Sequence, residues 1–192
     1  MVVMVAFCTT AFAATIGQPL PSPDAGWQRI DDKDTSINYS GVWTDYFYGD
    51  GFKGGAHYSA DVNGSASFNF TGTKLRIIGY NSTDASRNVV VNVDGVEVIH
   101  SQNASNQGYI LEYEASNLSN TEHTCKLYKK TSGFYRIDAV DIDTNAVLKP
   151  FNSNMISAPT NLSEIVNSTQ INLSWNTVTG ATSYNIKRAT TL

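Results

Sequence analysis

Between residues 89 and 99 the chain reads Val-Val-Val-Asn-Val-Asp-Gly-Val-Glu-Val-Ile, two β-branched runs separated by Asp94-Gly95. An Asp-Gly pair accepts the positive φ angles of a type I′ turn, whose twist matches that of the strands it joins. This segment commits the chain to antiparallel sheet, and other stretches repeat the period of two. Ile37, Tyr39, Gly41 and Trp43 alternate with Asn38, Ser40 and Val42, and Ala66, Phe68 and Phe70 with Ser67, Asn69 and Thr71. Leu75, Ile77 and Gly79 lie opposite Lys74, Arg76 and Ile78, and Tyr109, Leu111 and Tyr113 alternate in turn. Cys125–Lys129 and Phe134–Ile142 flank Ser132-Gly133, which predicts a second hairpin. No apolar stripe of helical period occurs, and Glu114 to Leu118 is long enough for one helical turn at most. Many short strands with Gly, Asn and Asp turns predict an all-β, antiparallel sandwich.

The ends of the chain read differently. Residues 1–13 hold an apolar run followed by Ala11-Phe12-Ala13, the pattern of a secretory signal peptide with an A-x-A cleavage site. The run is too short to span a bilayer. No Lys or Arg precedes it, so a start upstream of Met1 is expected, and a lipoprotein signal ending at Cys8 is the rival reading. Cleavage leaves Cys125 as the single thiol, without an intrachain partner and on the same strand face as Leu127. Residues 14–25, with Pro19, Pro21 and Pro23, are expected to be extended or disordered. Residues 26–148 form the main domain, 149–157 a linker, and 158–192 the opening of another domain.

The net charge of -4 and pI near 5.2 argue against a nucleic-acid partner, which requires a basic patch. Only 16% of residues are Asp, Glu, Lys or Arg, so Asn, Ser, Thr and Tyr make up much of the polar surface. The expectation is a secreted monomer with neither a membrane span nor a nucleic-acid partner.

Catalysis needs a constellation, and none is visible. The chain contains no G-x-S-x-G elbow, no C-x-x-C, no H-E-x-x-H and no glycine-rich phosphate loop. His100 and His123 read as ordinary polar strand positions, and no catalytic residue, metal ligand or cofactor is assigned. Asp31, Asp32 and Asp34 read as a solvated turn, with a structural calcium as the alternative there and at Asp141-x-Asp143-x-Asn145. Neither run has the glycine and distal Glu of an EF-hand loop.

The chemistry that remains is aromatic. Residues 43–52, Trp-Thr-Asp-Tyr-Phe-Tyr-Gly-Asp-Gly-Phe, gather five aromatics and two carboxylates in a glycine-punctuated stretch that reads as a loop. Sugars present flat C–H faces that stack on such rings, and hydroxyls that need Asp, Asn or Arg partners. Candidate ligand contacts are therefore Asp45, Tyr46, Tyr48, Asp50 and Phe52, with His57 after Gly54-Gly55. Asn81 and Arg87, flanking Asp84 in the loop after Tyr80, are added. The alternative is that these aromatics are core and edge cover, as is expected of Trp43.

Residues 26–148 resemble the galactose-binding-like jelly rolls that accompany carbohydrate-active enzymes and surface proteins. The resemblance rests on Ile30-Asp-Asp32-x-Asp34, Ile37-x-Tyr39-Ser-Gly41-x-Trp43 and Gly54-Gly55-Ala-His57-Tyr-Ser59. It continues through Gly64-Ser-Ala66-x-Phe68-x-Phe70-x-Gly72-Thr73-x-Leu75, Val91-x-Val93-Asp94-Gly95 and Phe134-x-x-Ile137-Asp138. The final 35 residues resemble the start of a bacterial fibronectin type III domain, through Ala158-Pro159, Leu173-Ser-Trp175 and Gly180-Ala181-Thr-x-Tyr184-x-Ile186-x-Arg188. Together the resemblances imply a glycan or cell-surface polysaccharide as partner, within a longer multidomain protein. A spacer without a ligand, or a fragment of an enzyme whose catalytic domain lies elsewhere, are the alternatives.

Overall fold

A computed structural model describes residues 14–47, 49–153, 159–167, 170–178, 181, 183, 184 and 186. The expected signal peptide and Tyr48 lie outside these residues. The chain divides into two compact units, Met1–Phe151 and Asn152–Leu192.

The described residues of unit 1 form an antiparallel β-sandwich of thirteen strands. They are β1 (Trp27–Asp31), β2 (Asn38–Ser40), β3 (Thr44–Phe47), β4 (Gly55–Ser59), β5 (Ser65–Gly72), β6 (Leu75–Asn81) and β7 (Val89–Val93). The remainder are β8 (Val96–His100), β9 (Gln107–Ala115), β10 (Thr121–Lys129), β11 (Tyr135–Ile137), β12 (Ala139–Asp143) and β13 (Leu148–Pro150). One sheet runs β13-β5-β10-β7-β8, with β2 also pairing β5; the other runs β1-β12-β6-β9. A third group, β11-β4-β3, extends the second sheet, because β11 and β12 are one strand interrupted at Asp138. β12 pairs β1, and β11 pairs β4.

Alternation places the core between the sheets. Phe68, Phe70, Val89, Val91, Cys125 and Leu127 from one layer pack in a single cluster with Leu75, Ile77, Val140 and Ile142 from the other. Burial pushes the Cys125 thiol well above its ordinary pKa, which leaves it inert. The 94–95 turn forms as the sequence predicts, with φ of 50° at Asp94 and 87° at Gly95. His123, contrary to its expected ordinary position, is buried behind this turn, with Nδ1 against the Asp94 carboxylate and Nε2 2.8 Å from the Ser119 carbonyl.

Several expectations change. The second hairpin does not form: β10 pairs β5 and β7, whereas β11 pairs β4 in the other layer. The turn at Ser132-Gly133 therefore carries the chain between sheets, tied by the Lys129 ammonium bonding the Ala60 and Gly133 carbonyls. The proline-containing leader turns at Thr15–Gln18 and docks along β9, with a bridge from Pro19 to Ile110. Gly17 N–H donates to the Leu111 carbonyl (2.8 Å) and Leu20 N–H to the Tyr109 carbonyl (2.7 Å). Its Ala14 and Leu20 cover Ile78, Leu111 and Ala139 on the outer face. Lys149 and Pro150, expected in the linker, belong to β13, which pairs β5 at Phe68–Phe70. The alternating run Ile37–Trp43 is broken at Gly41, whose φ of 85° separates β2 from β3. Glu114 and Ala115 finish β9 and no helical turn follows; Asn117 has a φ of 65°.

Unit 2 contains one antiparallel hairpin, β14 (Ser163–Asn167) and β15 (Gln170–Ser174). The Trp175 and Tyr184 rings meet edge-on at 5.2 Å, and the Val178 N–H donates to the Tyr184 hydroxyl at 2.8 Å. Leu162, Ile165, Val166 and Ile171 are exposed.

Candidate functional site

The segment read as a loop is half strand. β3 pairs β4 with Thr44 opposite Tyr58 and Tyr46 opposite Ala56, and β4 pairs β11 with Tyr58 opposite Arg136. Residues in such registers share a face, so Tyr46, Tyr58 and Arg136 all lie on the outer side of this sheet. Tyr46 meets Tyr58 edge-on at 6.1 Å, and Tyr58 meets Phe134 edge-on at 5.5 Å. The result is a ladder of three rings running to the sheet margin, with Tyr46 about half exposed.

Arg136 is the hub of this ladder. Its guanidinium lies 5.3 Å from the Phe134 ring centre, 5.9 Å from Tyr58 and 6.0 Å from Tyr80. Its Nη1 donates to the Ser82 hydroxyl, and its Nη2 lies 3.1 Å from Asp84. The Ser82 hydroxyl, helped by Arg136, holds the Asp84 carboxyl below its usual pKa. Phe134 is fixed by the same loop: its N–H donates to the Asp84 carbonyl, and its carbonyl accepts the Ser86 N–H at 2.6 Å. From beneath, the Gln102 amide spans the Arg136 backbone, giving Nε2–H to its carbonyl and accepting its N–H, both at 2.8 Å.

Gln102 fits only because residue 79 is glycine: a Cβ there would lie 2.8 Å from Gln102 Nε2 and 2.9 Å from Glu112 Cγ. Burial pushes Glu112 up to about 8 and His100 down to about 4. Both are thus neutral near pH 7, and Glu112 Oε2 lies 3.2 Å from His100 Nε2.

The sequence-predicted residues divide among separate surroundings. Tyr46 joins the ring ladder. Asn81 ends β6 beside Tyr80, and its Oδ1 is a buried acceptor with no hydrogen-bond partner. Asp45 faces the other way from Tyr46 and pairs with Lys33 at 2.8 Å. Arg87 is exposed in the loop after β6, and Arg136 from β11 takes the place beside Asp84. Asp50 is exposed, and its carbonyl closes on Gly108, where a Cβ would lie 2.0 Å away. Phe52 packs against the Ile78–Leu111–Ala139 cluster, beside Ala14 and Leu20 of the leader. His57 stacks on Tyr39 at 4.5 Å, with Nδ1 2.6 Å from buried Asp32. Trp43 packs on the core, edge-on to Tyr135 at 4.7 Å.

Sequence reasoning missed Tyr58, Phe134 and Arg136. Pairing residues 44–47 against the alternation of residues 55–59 would have found Tyr58. Arg136 stands in sequence between the core residues Tyr135 and Ile137, and no local motif marks it.

The acidic runs are engaged with the protein. Asp141 takes a two-pronged bond from Arg29 at 2.7 and 2.9 Å, and Asp143 accepts from Thr73. Asp31 and Asp34 cap the N–H groups of Lys33 and Ser36. Among the described residues, no group of three or more His, Cys, Asp or Glu is placed to hold a metal ion. No described helix is long and apolar enough to cross a membrane.

No family profile matches the chain. Over 141 residues it is 31% identical to an A type blood alpha-D-galactosamine galactosaminidase of Flavonifractor plautii, covering 72% of this chain and 13% of that enzyme. Over 102 residues it is 32% identical to an A type blood N-acetyl-alpha-D-galactosamine deacetylase of the same organism, covering 51% of this chain and 13% of that enzyme. The chain thus spans 13% of the length of these curated relatives. Similar solved structures include a family two carbohydrate esterase from Cellvibrio japonicus, with TM-score 0.49, 16% identity, and coverage of 65% of this chain and 36% of that one. A family 35 carbohydrate binding module from Clostridium thermocellum gives TM-score 0.42, 13% identity, and coverage of 64% and 98%.

Proposed function

We propose that unit 1 is a non-catalytic glycan-binding module of an exported carbohydrate-active or surface protein. The observation that carries this reading is the Tyr46–Tyr58–Phe134 ladder, fixed around a buried arginine that pairs with Asp84. Rings stack on the C–H face of a sugar, and the exposed Asp84 carboxylate accepts from its hydroxyls or amine. The names of the two relatives make terminal galactosamine and N-acetylgalactosamine the glycans to try first. Unit 2, with its Trp175–Tyr184 contact, reads as the opening of a fibronectin-like neighbour. The module acts as a monomer, and multivalency in a longer protein supplies affinity.

A glycan array of the full chain and its Tyr46→Ala/Tyr58→Ala variant tests the reading. Binding by the wild type that the folded variant loses places the sugar on the ladder. Silence of the folded wild type across the array makes the module a spacer. Binding that the variant keeps moves the site elsewhere.

A further inference from the structure

A depression of about 370 Å³ lies on the outer face of the other sheet, and none of its lining residues belongs to the ring ladder. The turn at Val62–Gly64 forms one wall; Ser65, Asn92, Lys126 and Tyr128 form the rest. The register explains why these residues meet. Tyr128 on β10 is paired with Ser65 on β5, and Lys126 with Asn92 on β7. All four alternate with core residues and so point away from the sandwich interior. The small Ser65 side chain leaves the trough, and Tyr128 stands beside it with its hydroxyl fixed to Glu97.

The lining has a definite chemical character. It holds one aromatic ring, two amides, one hydroxyl and one ammonium. The Asn63 side chain is exposed and makes no hydrogen bond among the described residues. Lys126 likewise makes no ion pair among them; its Nζ lies 5.9 Å from the Tyr128 ring centre. No described carboxylate lines the depression; Glu97, which bonds the Tyr128 hydroxyl and the Asn92 side chain, is itself paired with Lys130 at 2.6 Å. An uncompensated cation beside a ring, amides and a hydroxyl suits a small polyhydroxylated ligand bearing a carboxylate, and the volume falls within the usual range of ligand pockets, about 300–1,000 Å³.

We infer that this depression is a second saccharide site, selective for an acidic sugar whose carboxylate faces Lys126 while its ring leans on Tyr128. The site is independent of the ladder, because the two lie on opposite sheets.

The test is an amide-resolved NMR titration of the full chain with galacturonic acid and, in parallel, galactose, which carries CH2OH where the acid carries its carboxylate. Galacturonate should shift the amides of Asn63, Ser65 and Tyr128 more strongly than galactose does. Lys126→Gln, an exposed substitution, should weaken galacturonate about two- to fivefold, the order expected of one partly screened charge pair. Added salt should weaken the wild type and leave the variant unmoved. The Tyr46→Ala/Tyr58→Ala variant should titrate like the wild type here, so loss of the ladder site and loss of this one are separable. Three outcomes overturn the inference: no shift with galacturonate, shifts confined to Tyr46, Tyr58 and Phe134, or indistinguishable titration of the wild type and Lys126→Gln.

Discussion

Asp138 fills the one-residue break between β11 and β12, where its N–H donates to the Ile78 carbonyl and its carboxyl accepts the Phe52 N–H at 2.7 Å. Its other oxygen is buried without a hydrogen-bond partner, as is one oxygen each of Asp31 and Asp32, the former 3.9 Å from the Lys53 ammonium. Burial pushes Asp138 up to about 8, and the neighbouring acids add to the effect. Asp32 is raised by burial too, despite its bond to His57. The folded chain therefore holds a proton on Asp138 that the unfolded chain releases near the ordinary carboxylate value, 3.8. The sign follows from linkage: stability declines as pH rises from about 4 to about 8, and levels off above the folded value. Asp138→Asn keeps the acceptor for Phe52 and cannot ionise. Above pH 8 it should raise stability, on the order of 1–3 kcal/mol, and flatten that decline. Urea denaturation of both forms at pH 5 and pH 8.5 measures the difference; equal slopes for the two would mean that Asp138 is ionised in the fold.

At the level of elements, Gln102 substitutes for a missing strand pairing. β6 pairs β12 only through Leu75–Ile78, so at β11 the Arg136 N–H and carbonyl have no β6 partner, and the Gln102 amide takes both. Gln102→Ala strands two buried backbone groups and should cost about 2–4 kcal/mol. Denaturation midpoints of the wild type and Gln102→Ala measure that cost. This strut also marks the limit of what the sequence discloses. The 89–99 hairpin, the alternation of Phe68 with Phe70 and the burial of Cys125 follow from local pattern and turn chemistry. The destination of β11 does not, because Ser132-Gly133 reads as a hairpin turn although β10 is already flanked by β5 and β7. The site was half legible for the same reason. An aromatic run identifies the segment, but which of Tyr46, Phe52 and His57 face outward depends on a register set by β4 and β11. Tyr58 and Arg136 enter the site only through that long-range pairing.

Across the whole molecule, the core and the proposed glycan surface occupy different layers. The main core lies between the sheets, whereas the ring ladder lies on an outer face, with Tyr46 and Tyr58 at its open end and Arg136 buried beneath. Removing the open rings takes away area that water already reaches in part, so Tyr46→Ala/Tyr58→Ala should lower the unfolding free energy by only about 1 kcal/mol. Removing Arg136 takes the partner from Asp84, the donor from Ser82 and the cation from three rings at once. Arg136→Ala should therefore cost about 3–5 kcal/mol, the range expected when one partner of a buried pair is lost. Glycan affinity should move differently. Both variants should lose binding, the first by loss of the contact surface and the second because Phe134, Tyr80 and the loop holding Asp84 lose their common anchor. Calorimetric binding and thermal unfolding of the two proteins side by side separate these effects. If Arg136→Ala binds as the wild type does while losing stability, the rings hold their places without the hub, and the site is organised by β3–β4 pairing alone.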